Sequence, residues 1–329
     1  MTSRPRIVCS DLECRFVAAD CQRLEREAAL EWSPSYALDV LAPRLATAEI
    51  LVMSCFAHAP AELFAAGRRL RGVVKYGVGV DNIDLDAARR RGIPVANCPD
   101  YGSGTVADHA FALLIALARR LTLQDQEFRS RGWFWPAEPY CGFDLEGKTL
   151  GLIGLGRIGR KMARRGSGFD MRLLAYDPYV TDAQRDPRSL GLADGQLEFV
   201  GLETLLEQSD FVSVHCVLTP ETRRLLGAAE LRRMKPSAFL IDVSRGAIID
   251  EPALLQSLEE GWIAGAGLDV FAEEPLPDDH PLLRMANTVV TPHLAWYTVE
   301  AAARQSAQAA DAVLDLLAGR RPRSVVNGL

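Results

Sequence analysis

The stretch Thr149-Leu-Gly-Leu-Ile-Gly154-Leu-Gly156-Arg157-Ile158-Gly159-Arg160 limits the folds open to this chain more than any other. An apolar strand runs into glycines spaced G-x-G-x-x-G, a helical segment follows from Arg157 to about Phe169, and a second strand, Arg172 to Tyr176, ends on Asp177. Gly154 permits the tight turn, Gly156 lets a pyrophosphate approach the backbone, and Gly159 lets helix and strand pack closely. Free N–H groups and the dipole at the helix start favour the phosphates. The acid stands 18 residues beyond the last glycine (177 − 159). There its carboxylate accepts hydrogen bonds from a ribose diol and repels a 2′-phosphate, so the pattern predicts NAD rather than NADP.

With 329 residues, the length prior gives about two domains. A net charge of −6 argues against a general nucleic-acid or anionic-membrane surface. Basic runs such as Arg89-Arg-Arg91 are short enough to be solvated helix ends. The seven cysteines are scattered with no C-x-x-C, which predicts free thiols in a reducing compartment and neither a disulfide framework nor a metal site. Met1 to Val8 leads into a strand with no signal-peptide core, and the longest apolar run, Ala110 to Ala118, is too short to span a bilayer. The expectation is a cytoplasmic protein without membrane partners.

Before the glycine motif, candidate strands fall at Arg6–Ser10, Glu49–Ser54, Gly72–Tyr76 and Pro94–Asn97, with helical segments near Pro60–Gly67 and Leu85–Arg91. After it they fall at Phe211–Cys216, Ala238–Val243, Gly265–Val270 and Thr288–Thr291, and a final helix is expected over Val299–Ala318. Such alternation predicts parallel sheets with crossover helices. A long helix from Gly104, extending toward Ser130, is apolar nearly all round in its first part and should be buried on more than one side. Trp133-Phe134-Trp135 follows, with Tyr140 and Phe143 close behind. This cluster either packs between domains or forms a subunit interface, and the interface is the preferred reading, because monomers seldom leave so many aromatics on a projecting segment. The tail Ser324-Val-Val-Asn327 is expected to return to the first domain. The predicted fold is α/β: two Rossmann-like or flavodoxin-like parallel-sheet domains, the nucleotide domain (103–298) inserted into a split substrate domain (1–102 and 299–329).

Three polar groups stand just past predicted strand ends: Arg245, Glu274 and His293. Ligands of open parallel sheets bind outside the carboxyl ends of strands, so the three can converge. An imidazole exchanges protons near neutral pH, a carboxylate orients it, and a guanidinium grips a substrate carboxylate. Taken singly, each also fits a bland role as surface residue, acidic turn or strand cap. His58 and His280 lie near prolines in loops, His109 fits a core role in the long helix, and His215 is placed to line the adenosine side.

Gly154-x-Gly156-x-x-Gly159, Asp242-Val-Ser-Arg245-Gly246, Leu268-Asp269-Val-x-x-x-Glu274-Pro275 and Thr291-Pro292-His293 resemble the signatures of the NAD-dependent D-2-hydroxyacid dehydrogenases. Gly77-Val78-Gly79-Val80-Asp81-Asn82 and Asn97-x-Pro99 resemble that family's substrate-domain motifs. Tyr176-Asp177-Pro178-Tyr179 and His293-Leu-Ala-Trp296-Tyr297 are similar to the branch containing the C-terminal-binding proteins, dehydrogenase-like corepressors. The resemblance implies His293 as general acid/base, Glu274 as its partner and Arg245 as binder of the substrate carboxylate and carbonyl. Amides around Val78 and Gly79 would hold the other end of that carboxylate, and Asp269 would face the nicotinamide amide. The remaining cofactor contacts expected are Gly154, Gly156, Arg157, Ile158, Gly159, Asp177, His215, Val243 and Ser244, with Thr105 on the long helix.

The resemblance also implies a homodimer through the long helix and the arm at Trp133–Trp135. Two positions depart from the pattern: Asp108 replaces the usual Glu, and Lys75, expected among the substrate-binding residues, replaces an Arg that the corepressor branch has near the substrate, keeping the charge without the planar grip on a carboxylate. Trp296 is expected either at the substrate mouth, favouring an apolar or thioether tail, or packed between domains. The function expected is interconversion of a 2-keto acid and a D-2-hydroxy acid. The rivals are an NAD(H)-sensing, corepressor-like binder and a dehydrogenase of an unusual donor such as phosphite. The end of the sequence soon after its last helix favours the enzyme over the sensor.

Overall fold

A computed structural model describes residues 4–181, 187–193 and 195–329. The chain divides into two compact units, Met1–Gly102 with Tyr297–Leu329, and Ser103–Trp296. In the first unit, β1 (Arg6–Cys9), β2 (Ala29–Trp32), β3 (Ile50–Met53), β4 (Gly72–Lys75) and β5 (Val95–Ala96) form a parallel sheet in the order β2-β1-β3-β4-β5. Its helices are α1 (Ala18–Glu27), α2 (Leu38–Leu45), α3 (Ala61–Ala66) and α4 (Leu85–Arg90). β3 and β4 are buried along their whole length, which is why they read as unbroken apolar runs. The C-terminal tail returns to this unit. Val326 N donates to Val95 O at 2.8 Å, and the Asn327 side chain accepts from Val95 N and donates to Ile93 O.

The second unit opens on α5 (Ser103–Ala118) and α6 (Leu121–Arg131). The single long helix expected here is in fact two. Arg120 adopts a left-handed φ of 53°, and the chain turns before α6 resumes. β-strands β6 (Thr149–Ile153), β7 (Arg172–Tyr176), β8 (Leu197–Phe199), β9 (Phe211–Val214), β10 (Phe239–Asp242), β11 (Gly265–Leu268) and β12 (Thr288–Val290) make a parallel sheet ordered β12-β11-β10-β9-β6-β7-β8. α7 (Arg157–Gly168) and α5 cover one face, sharing a core of Ala107, Leu114, Leu152, Met162 and Ile241. α8 (Leu202–Gln208), α9 (Ala228–Arg233) and α10 (Glu251–Glu259) cover the other, around Leu206, Leu231 and Leu254. α11 (Val299–Leu317) belongs to the first unit.

The strand order reverses between β6 and β9, and the glycine turn leaves β6 at that switch point, where open α/β sheets bind ligands. Two strands escape the sequence reading, β2 and β8. Both are sheet edges with exposed or half-exposed residues, so their apolar signal is diluted. Among the described residues no helix is long and apolar enough to cross a membrane.

Candidate active site

The glycine turn is built for close approach. Gly154 has φ of +92°, and a Cβ there would stand 2.6 Å from the Cys216 amide nitrogen. A Cβ on Gly159 would collide with the Gly154 carbonyl oxygen, so α7 rests directly on the turn only because both residues lack one. At Gly156 the Cβ position is open, and the residue is exposed at the N-terminus of α7 beside Arg157. Ile158 packs against the core below. Asp177 closes the pattern from the end of β7: its Oδ2 accepts from Leu155 N at 2.8 Å and its Oδ1 from Tyr179 N at 2.9 Å. Each oxygen keeps a second lone pair for a ribose hydroxyl. His215, after β9, accepts or donates at Nε2 with Ser213 Oγ (2.9 Å), and its buried Nδ1 has no protein partner. Burial pushes its pKa down to about 3, so this imidazole is neutral. An open cradle at a helix start, an acid at the neighbouring strand end and an unpartnered buried imidazole nitrogen together fit a dinucleotide. Thr105 is half-buried in the first turn of α5.

β10 ends on Asp242, fully buried, whose Oδ1 accepts from both Ser244 N (2.8 Å) and Ser244 Oγ (2.6 Å). Its Oδ2 finds no protein partner, and burial raises the carboxyl pKa to about 7. Val243 is buried, Ser244 half-buried, and Arg245 donates from Nη1 to the Ser244 carbonyl oxygen at 2.7 Å. Two of the three strand-end residues, Glu274 and His293, are in direct contact in this unit. His293 Nδ1 lies 2.6 Å from Glu274 Oε2, and Phe271 N donates to Glu274 Oε1 at 2.9 Å. Burial pushes the Glu274 carboxyl up, but the His293 hydrogen bond and charge, the Phe271 amide and the Arg245 charge outweigh it and hold the carboxyl below its ordinary range.

His293 itself has a left-handed φ of 55°, rare for a residue with a Cβ. Its amide donates to the backbone oxygens of Asp269 (2.9 Å) and Thr291 (3.1 Å). The Asp269 carboxylate holds the loop that carries His293. It is fully buried and accepts from Leu294 N (2.9 Å), Ala295 N (2.8 Å) and Thr291 Oγ1 (2.5 Å). Trp296 is half-buried at the end of this unit.

In the first unit, Lys75 is buried. Its Nζ donates to Ser54 O (2.7 Å) and Asn82 Oδ1 (3.0 Å), tying together the loops after β3 and β4. Desolvating an ammonium demands such partners. Val78 is exposed and Gly79 half-exposed on the loop that follows β4. The sequence left Thr291 and Asp242 without a role and gave His109 only a core role in the long helix. His109 and Thr291 meet across the fold: His109 Nε2 is 2.9 Å from Thr291 Oγ1, 182 residues away.

Residues 111–295 match the family model of the D-isomer specific 2-hydroxyacid dehydrogenase NAD binding domain. A glyoxylate reductase from Korarchaeum cryptofilum is 44% identical over 290 residues, 88% of this chain and 85% of that protein. Among solved structures, the TT0316 protein from Thermus thermophilus has a TM-score of 0.88 at 35% identity, covering 98% of this chain and 99% of its own. The D-lactate dehydrogenase from Aquifex aeolicus, complexed with NAD and lactic acid, has a TM-score of 0.86 at 27% identity over 98% and 99% of the two chains. With the family's two parallel sheets, its dinucleotide turn and its motifs in order, the chain belongs to the D-isomer specific 2-hydroxyacid dehydrogenases and is an NAD-dependent oxidoreductase.

Proposed function

We propose that this enzyme reduces small 2-keto acids, glyoxylate among them, to 2-hydroxy acids, giving the D-isomer wherever C2 is a stereocentre. The observation that carries this reading is the 2.6 Å His293–Glu274 pair with Arg245 close enough to act on it. Glu274 remains a carboxylate at neutral pH and occupies Nδ1, so Nε2 is the atom left to exchange a proton with the substrate oxygen. Arg245 binds the substrate carboxylate and polarises the carbonyl beside it. The hydride comes from the reduced nicotinamide when the cofactor is bound. Gly154, Gly156 and Gly159 place the phosphates at the start of α7, with Arg157 and Ile158. Asp177 takes the adenosine ribose, and His215, Val243, Ser244 and Thr105 complete the cofactor contacts. Trp296 favours an uncharged or apolar tail on the substrate.

Following NADH absorbance with a panel of 2-keto acids tests this. Turnover of glyoxylate or a close analogue is expected. Tight NADH binding with no turnover of any acid would instead support the cofactor-sensing role of the corepressor-like branch, and formation of NADH from NAD+ and phosphite, with no keto acid reduced, would support that donor.

The reading includes a homodimer. Trp133 and Trp135 are each 77% exposed, stacked edge-on at 6.3 Å, and α6 before them buries no residue. Exposed aromatic patches of this kind mark interfaces. Sedimentation should give a dimer, and the double substitution Trp133→Ser with Trp135→Ser should give a monomer; a wild-type monomer at micromolar concentration would refute the assembly.

A further inference from the structure

The imidazole proposed to exchange the substrate proton sits on a strained loop, and that loop is held by a chain of hydrogen bonds reaching back into α5. His109 Nε2 lies 2.9 Å from Thr291 Oγ1, and Thr291 Oγ1 lies 2.5 Å from Asp269 Oδ1. A hydroxyl has one proton to give. At 2.5 Å that proton belongs on the line to the carboxylate, so the hydroxyl must accept from His109, whose Nε2 therefore carries a hydrogen. The direct His109–Asp269 separation of 3.6 Å is too long for a hydrogen bond, so Thr291 is the link. Asp269 then holds Leu294 N and Ala295 N with its carboxylate and the His293 amide with its backbone oxygen.

We propose that His109 is a positioning residue: its Nε2–H directs the Thr291 hydroxyl onto Asp269, and Asp269 so oriented fixes the left-handed turn that aims His293. This rests on the reading of His293 as the proton-exchanging group. A donor at the head of the chain polarises the bonds below it. The alternative, that His109 merely fills space in α5, makes a different prediction about which replacement is tolerated. Gln carries a donor nitrogen near the place of Nε2, whereas Leu has the bulk without the donor.

Steady-state reduction of glyoxylate by NADH decides between them. His109→Leu is expected to lower kcat by about tenfold, the scale of a small misplacement of a catalytic group, with the KM for NADH unchanged within about twofold. His109→Gln should recover most of the lost kcat. Equal impairment of the two variants, or a His109→Leu enzyme with wild-type kcat, overturns the proposal. Should His109→Leu not fold, Thr291→Val and Thr291→Ser take its place: loss with Val and recovery with Ser supports the chain, and equal behaviour sinks it. A His293→Ala arm separates the two readings. If that variant is inactive while His109→Leu is normal, only the positioning role fails; if it keeps turnover, the function proposed for His293 fails and this inference with it.

Discussion

His293→Ala is expected to lower kcat for glyoxylate by about a thousandfold, within the range that general acid–base groups contribute, while the Kd for NADH stays within about twofold. The separation of effects follows from geometry. The cradle proposed for the phosphates, Gly154–Gly159, and the acid proposed for the ribose, Asp177, lie at β6 and β7, whereas His293 stands beyond β12 on the far side of the sheet order. Its side chain hydrogen-bonds Glu274, so truncation leaves the cofactor turn untouched. Glu274→Gln should be milder, because an amide oxygen can still accept from Nδ1 while the orienting charge is lost. Stopped-flow and fluorescence titration measure the two quantities. Turnover of His293→Ala within a fewfold of wild type would show that the proton travels another way.

Asp242→Asn should change stability by an amount that swings by about 4 kcal/mol between pH 4 and pH 7.5. Burial raises the Asp242 carboxyl from an ordinary 3.8 to about 7. In that window the folded chain keeps a proton that the unfolded chain has released, so wild-type stability falls as pH rises from about 4 to about 7 and is level thereafter. A shift of roughly 3 units at about 1.4 kcal/mol per unit gives the size of the swing. Asn cannot ionise and removes the slope. It keeps the oxygen that accepts from Ser244 N and Oγ, but places an amide where Oδ2 has no protein partner, a constant cost of about 1–3 kcal/mol. The variant should therefore be the less stable protein near pH 4 and the more stable one above pH 7. Thermal unfolding of the cofactor-free proteins across that range gives the difference directly, and a difference independent of pH would mean that Asp242 ionises normally.

Sequence and structure divide the work along a physical line. The glycine turn, the acid at Asp177 and the central strands were legible because their causes are local. A tight turn needs glycine at a fixed spacing, and strands buried on both faces read as apolar runs. Arg245, Glu274 and His293 were legible one step removed, since strand ends of a parallel sheet share one edge. Edge strands β2 and β8 were not, because half-solvated strands lack that signal. The break between α5 and α6 was hidden because Arg120 enters the left-handed region without a glycine to announce it. Least legible were the directions of polar side chains. Nothing near Asp269 in sequence says that its carboxylate is spent on Leu294 and Ala295, nor near Lys75 that its ammonium is buried against Ser54 and Asn82. The sequence by itself determined the cofactor turn and the residue types available for chemistry. Only the tertiary structure decided which of them meet, because a buried polar atom must be satisfied by whatever the fold brings within 3 Å, at any distance along the chain.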